Sequence, residues 1–302
     1  MERLSKLTVP MTRLVSTYEE GGTWLWGNLH AHSTNSDGAR SPKNVIQDYT
    51  ARGYDFLALS DHDTFTDPIK YQSGTAVVTI PAVEVSANGP HMLHLGATDA
   101  VPPDEDRQAV VDAIRADGGI AVPAHPNWQE SFAHWPHAEL DRVEGYAGIE
   151  IYNGLIEHHP GAARATDRWD QLLSTGRRVW GFANDDSHRP WDVAQGWNVV
   201  QADECTPEAI LDALASGNFY ASTGVTIKRI DVSGNELTIE TADADCIRLL
   251  SDYGAVQQIV SSPVATFRVP DQLVHWDDHS YVRVECVGES GDMAWLQPMF
   301  LE

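Results

Sequence analysis

NLHAHSTNSDG, residues 28–38, sets two histidines two positions apart and follows them with an aspartate. Alternate residues of a strand point to one side, so His30 and His32 can aim their rings at one point. The loop beyond can return Asp37 to the same place. Imidazoles beside a carboxylate suit a divalent metal. A solvated loop with chance histidines fits this stretch equally well, so the rest of the chain decides.

From Leu25 to about Val200, short apolar runs alternate with helical patterns. The runs are LWGNLHA, DFLALSD, AVVTIPAVEV, HMLHLGA, GIAVPAH, GIEIYN and RVWGFAN. Between them lie SPKNVIQDYTARG, DRQAVVDAIRADGG and GAARATDRWDQLLSTG, which open near Ser, Asp or Gly and close at glycine, as capped amphipathic helices do. Such alternation predicts a parallel sheet, and its extent favours a closed, distorted α/β barrel over an open doubly wound sheet. After Gly224 the segments TIKRIDVSG, ELTIETA, CIRLLSD, AVQQIV, ATFRV and SYVRVECVG alternate apolar and polar residues, predicting a small antiparallel β domain. The expected organisation is an N-terminal extension over 1–23, an α/β barrel over 24–223 and a sandwich-like β-rich domain over 224–302.

The formal charge of −24 argues against a nucleic-acid partner, whose phosphates need basic residues to neutralise them. No apolar run approaches a membrane span, and MERLSKLTVPMTRLVSTYEE lacks the apolar core of a signal peptide. Cys205, Cys246 and Cys286 are widely spaced without a CxxC pair, which fits a reducing cytoplasm. Oligomeric state leaves no mark in the sequence.

In a parallel barrel the working residues sit at the C-terminal ends of strands. Those ends supply His30, His32 and Asp37, then Asp61, His62 and Asp63, then Glu84. Further along come His91 and His94, His125, Glu150 and Asn153, and finally Asp185, Asp186 and His188. Eleven of the thirteen histidines precede Pro190. A hydrogen-bonded core or loop position explains any one of them. For the set, several independent accidents would have to converge on one rim. A metal centre is the simpler reading.

HAHSTNSDG, SDHD, VEV, AHP and NDDSH, in that order, resemble the successive motifs of the polymerase and histidinol phosphatase (PHP) family of metal-dependent hydrolases. The resemblance runs from about Trp24 to Tyr220, and GGIAVPAHP, GIEIYN and YASTG are similar to the branch that includes carbaryl hydrolase. It implies a distorted (β/α)7 TIM-like barrel holding two to three divalent ions: Mn²⁺, Zn²⁺ or Fe²⁺. His30, His32 and Asp37 match the first motif, His62 the second, and Glu84 a carboxylate that bridges metals. His125 matches the third motif, while Asp186 and His188 match the closing Asp-x-His. After Glu84 the chain offers His91 and His94; spacing to the following Leu-Gly pair favours His91.

The chemistry implied is attack by metal-activated hydroxide on a small phosphomonoester or phosphodiester. The first rival is carbamate or carboxylic ester hydrolysis, and the second a non-catalytic, metal-stabilised binding module. Asp63 is a candidate to orient a ligand or carry a proton, with a loop cap as the alternative. Arg189 is a candidate to meet an anionic substrate group, and Asn153 to donate to the transition-state oxygen. Trp128, Phe132 and Trp135 suggest an aromatic wall over the site, or a satellite core. Trp276 and Trp295 read as core positions more readily than as an interface, and His158 and His159 find no assignment.

Overall fold

Three of the described helices start at a short polar side chain that caps them. In the computed structural model, which describes residues 13–19, 21–269 and 281–301, Ser41 accepts from the Asn44 N–H at the head of helix Pro42–Thr50. That helix buries Val45, Ile46 and Tyr49 on one face. Asp106 caps Arg107–Ala116 through the Gln108 N–H, and Thr206 caps Pro207–Ser216, which ends at left-handed Gly217. Helix Thr166–Ser174 has no side-chain cap and is held by buried Trp169, Leu172 and Leu173. The short helix His137–Arg142, unforeseen in the sequence, completes the five α-helices among the described residues.

Strands Thr23–Asn28, Phe56–Leu59 and Val78–Val85 lie side by side and parallel. Met92–Leu95 then runs antiparallel to Val78–Val85, and Ile120–Pro123 antiparallel to it in turn. This departs from the all-parallel expectation, and chain length explains it. Only residues 86–91 join the Glu84 strand to Met92–Leu95, whereas a parallel neighbour needs a crossover of roughly a dozen residues.

Gly148–Asn153 and Trp180–Asn184 form a separate parallel pair. The Ala147 N–H donates to the Ala121 carbonyl at 3.0 Å, holding the pair beside Ile120–Pro123. On the other side Asn198 makes a two-way amide bridge to the Ala183 backbone, at 2.8 and 3.1 Å. Trp197–Ala202 pairs antiparallel with both Thr23–Asn28 and Phe219–Ser222. The architecture is mixed α/β with a β-rich second part.

That second part is hydrogen-bonded to the first. Phe219–Ser222 pairs with Met293–Leu296, which pairs with Tyr281–Gly288, and the sheet continues through Ala244–Ser251 to Ala255–Val260. Near the start of the chain, Leu14–Val15 pairs with Met299–Leu301. A three-stranded sheet of Ile227–Ser233, Glu236–Thr241 and Val264–Arg268 packs Leu237, Ile239 and Phe267 against Ile247, Leu249 and Val284. Trp295 is a core residue, with its ring 6.1 Å from that of Tyr152; Trp276 lies outside the described residues. No helix among the described residues is long and apolar enough to cross a membrane.

A buried ion pair joins the two parts. Arg283 donates to both oxygens of Asp170, at 2.6 and 2.7 Å, and the Tyr281 hydroxyl adds a third bond at 2.9 Å. Asp170→Ala would remove two of the guanidinium's buried bonds and leave Glu285, 2.8 Å away, as its remaining carboxylate partner. The expected loss is about 3 kcal/mol of unfolding free energy in urea titration, the low end for breaking a buried pair. A loss under about 1 kcal/mol, the worth of a surface pair, would show that the pair does not join the parts.

Candidate metal centre

His30 and His32 leave the strand Thr23–Asn28 in an extended segment, so both rings face inward. The Asn28 side chain accepts the His30 N–H at 2.9 Å. The His32 N–H donates to the Ser187 carbonyl at 2.9 Å, lacing the first histidine pair to the segment carrying Asp186 and His188. The following loop is wound around buried Asp61, which accepts from the Ser33 N–H and hydroxyl, the Ser36 hydroxyl and the Thr66 hydroxyl. Gly38 closes the turn: a Cβ there would lie 2.4 Å from the His32 carbonyl oxygen. Asp37 thereby arrives 3.3 Å from His188 Nε2, 3.7 Å from His62 Nε2 and 3.8 Å from His32 Nδ1.

Glu84 is the hub. Its carboxylate lies 3.2 Å from His30 Nε2, 3.3 Å from His32 Nε2 and 2.9 Å from His62 Nδ1. His91 Nδ1 stands 3.0 Å away and His125 Nε2 3.1 Å. Asp186 faces it from the opposite wall, 3.1 Å from His32 Nε2 and 3.3 Å from His30 Nε2. All nine residues that the family motifs imply as ligands therefore gather in one place. His94 does not: it lies buried beside Asp117, at 3.3 Å, and burial pushes its pKa down.

The orphaned polar atoms test whether this cluster fits metal. His30 Nε2, both ring nitrogens of His32, His62 Nδ1, Glu84 Oε2 and Asp186 Oδ1 are buried without hydrogen-bonding geometry to any partner. Such atoms are costly to bury unless something pairs with them. Burial opposes charge on Glu84 and Asp186, yet the surrounding imidazoles, His30 foremost, hold both carboxyls well below their usual range. For His188, burial is outweighed by Asp37 and Asp186, which lift it to about 9. Mixed nitrogen and oxygen donors without thiolate suit Mn²⁺, Zn²⁺ or Fe²⁺. The residues fit.

Glu150, whose role the sequence left open, orients this set. It accepts from His30 Nδ1 and from the Asn184 amide at 2.8 Å each, from the His125 N–H at 2.8 Å and from the Asn153 amide at 2.9 Å. A proton on His30 Nδ1 leaves Nε2 bare toward Glu84 and Asp186, the usual way a carboxylate sets a ligating histidine. Its signal in the sequence was a lone charge inside the apolar run GIEIYN. Asn153 also donates to Asp186 at 3.2 Å, so its two amide hydrogens serve carboxylates and none is left for substrate.

His134 was missed altogether. Its Nε2 accepts the His91 N–H at 2.8 Å, so its one proton sits on Nδ1, and the Gln129 amide 3.1 Å away must present its oxygen. Burial, then the neighbouring His125 and His91, push its pKa down to about 2. Trp135, fully buried, donates through its indole to the His91 carbonyl at 2.8 Å. A loop histidine carries no periodicity that could have announced this.

Asp63 accepts from the Ser86 N–H and hydroxyl and from the Ala87 N–H, at 2.8–3.0 Å. It caps the loop after Glu84 and does not line the cavity above the cluster. That cavity, about 480 Å³, is lined by His62, His91, His125, Asp186 and His188 at its base and by Trp128, Arg189 and Trp191 among others. Of the three expected wall aromatics, Trp128 lines it, Phe132 is exposed outside the lining and Trp135 is core.

The PHP-associated family model matches residues 174–219, a segment that includes Asp186 and His188. A 3',5'-nucleoside bisphosphate phosphatase of Chromobacterium violaceum is 36% identical over 92 residues, covering 29% of this chain and 32% of that protein. The chain thus spans about a third of the length of the curated relative it matches. A two-domain protein from Bacteroides vulgatus ATCC 8482, described as containing a predicted PHP-like metal-dependent phosphoesterase, superposes with a TM-score of 0.52. At 18% identity over 98% of this chain and 91% of the other, that likeness is one of fold.

Glu150→Gln tests the orienting carboxylate. All four neighbours of Glu150 donate, so a side-chain NH₂ must oppose at least one of them. Metal affinity, read by competition with a chromophoric chelator, is expected to fall about 10–100-fold while the protein stays folded. Unchanged affinity would remove Glu150 from the centre's support.

Proposed function

We propose that this chain, of the PHP family by its ordered motifs and its PHP-associated segment, is a metal-dependent phosphoesterase acting on a small phosphomonoester or phosphodiester. One observation carries the reading. The cluster gathered around buried Glu84 opens, through His62, His91, His125 and Asp186, onto a cavity large enough for a small substrate. The phosphatase activity of the Chromobacterium violaceum relative supports phosphate over other esters. The strand ends that deliver the ligands support the distorted (β/α)7 barrel, with the β-rich 224–302 as a second domain.

Three overlapping groups would hold two to three ions: His30, His32, Glu84 and Asp186; Glu84, His62, His91 and His125; and His32, Asp37, His62 and His188. Ions in such a set lower the pKa of water and neutralise charge on phosphoryl oxygen. The chain supplies the rest. Glu150 fixes the His30 tautomer, the His134–Trp135 pair holds the His91 backbone, and Arg189 at the cavity wall meets a substrate anion. Trp128 and Trp191 in the same cavity favour an aryl carbamate or carboxylic ester as the second reading. The free thiols Cys205, Cys246 and Cys286 support a cytoplasmic setting.

Chelated protein reconstituted with Mn²⁺, Zn²⁺ or Fe²⁺ is expected to hydrolyse p-nitrophenyl phosphate or its bis-ester faster than p-nitrophenyl acetate or an aryl carbamate. His30→Ala and Asp186→Ala should each lower bound metal and cut turnover by about a hundredfold or more, beyond the effect of losing an outer partner. Faster turnover of the carbamate would transfer the assignment to the second reading. Full activity in either variant would refute the centre itself.

A further inference from the structure

The two turns that wall the cavity contain the groups that neither the metal cluster nor the core uses. Residues 155–159 follow strand Gly148–Asn153, and residues 189–192 follow Trp180–Asn184. The turns are held side by side: the Gly154 N–H donates to the Asn184 carbonyl at 2.8 Å and the Leu155 N–H to the Asp185 carbonyl at 3.0 Å. His158, His159, Arg189 and Trp191 all line the cavity from them.

Arg189 is the arginine that lines the cavity. In a chain with 44 acidic and 20 basic residues, Arg40, Arg142, Arg268 and Arg283 each lie against a carboxylate, and Arg177, over the Tyr146 ring, donates to backbone carbonyls. The Arg189 guanidinium instead lies over the Trp191 ring, 5.6 Å from its centroid, with no acidic partner among the described residues. Of the two acids three positions away, Asp186 belongs to the metal cluster, and Asp192 uses one oxygen to accept the backbone N–H groups of His188 and Arg189. The side chains of His158 and His159 likewise have no ion pair or hydrogen bond among the described residues. Each carries an N–H donor even when neutral. Trp191 is 68% exposed, an indole face that no core residue covers. Three unspent donors and an exposed indole on one wall are of little use to folding.

We propose that this wall binds the leaving group of the substrate, stacking a planar ring on Trp191 and holding a second anionic group, remote from the scissile ester, with Arg189, His158 and His159. A guanidinium already lying over an indole ring is drawn to that wall, so less side-chain entropy is lost on engaging a carboxylate or phosphate. The assignment rests on the phosphoesterase reading only for the other end of the substrate, the phosphate at the metal cluster.

The test uses Mn²⁺-reconstituted protein and ligands differing by one carboxylate. Turnover is compared for phenyl phosphate and 4-carboxyphenyl phosphate, and calorimetric binding for benzylphosphonate and 4-carboxybenzylphosphonate. The carboxylated member of each pair is expected to be favoured about tenfold, the size of one charge-assisted hydrogen bond. Arg189→Ala should bring that ratio close to one, a His158→Ala/His159→Ala double variant should reduce it, and Trp191→Ala should weaken both phosphonates. Equal treatment of the pair by the wild type, survival of the preference in Arg189→Ala, or no binding of either phosphonate would overturn the proposal. Absent phosphate turnover with the carboxylate-dependent binding intact would keep the wall and discard the phosphoesterase reading.

Discussion

Burying Glu84 dictates much of what surrounds it. A carboxylate wholly removed from water needs compensating charge beside it, and here the ring nitrogens of five imidazoles within 3.3 Å would hold cations against it. Those imidazoles belong to residues from His30 to His125, and Asp186 closes the ring from farther along the chain. Local strain gathers at the same place. His125 and Asp186, both in the cluster, adopt left-handed backbone conformations, with φ of 32° and 55°. Positions of that kind persist where the surroundings over-determine them.

Around the hub, other buried carboxylates do structural work that a hydrophobic core cannot. Asp61 winds the loop that presents Asp37. Asp185 accepts the N–H groups of Ala194, Gln195 and Gly196 together with the Tyr49 hydroxyl, and burial still lifts its carboxyl to about 6. Glu150 turns His30, and Asp170 binds the β-rich part to the helix at Thr166–Ser174. Each has donors from several segments, so each fixes loop geometry as well as charge. A cluster of ligands needs that rigidity, because a metal-binding atom displaced by an ångström no longer reaches.

Much of this was legible from residue order. Strand ends could be read from apolar runs closing in His, Asp or Glu, and helices from Ser41, Asp106 and the glycines that stop them. Strand direction was not, since HMLHLG looks alike in either sense and only the short 86–91 connection betrays the reversal. The choice between His91 and His94 turns on which side of the sheet each faces. Spacing pointed to His91, and the register that pairs His94 with Ala121 and Val83 shows where the other ring goes. Polar pairings across long sequence gaps left least trace. Asp63 with Ser86, Asn153 with Asp186 and His134 with the His91 N–H follow from no period in the sequence.

In the proposed centre Glu84 would be shared by more than one ion. Anomalous diffraction at the manganese edge, from crystals grown with Mn²⁺, tests it most directly. The account predicts at least two separate peaks flanking the Glu84 carboxylate, with His30, His32, His62, His91, His125 and Asp186 as their other neighbours. A cluster without anomalous density, or a single ion held away from Glu84, would contradict it.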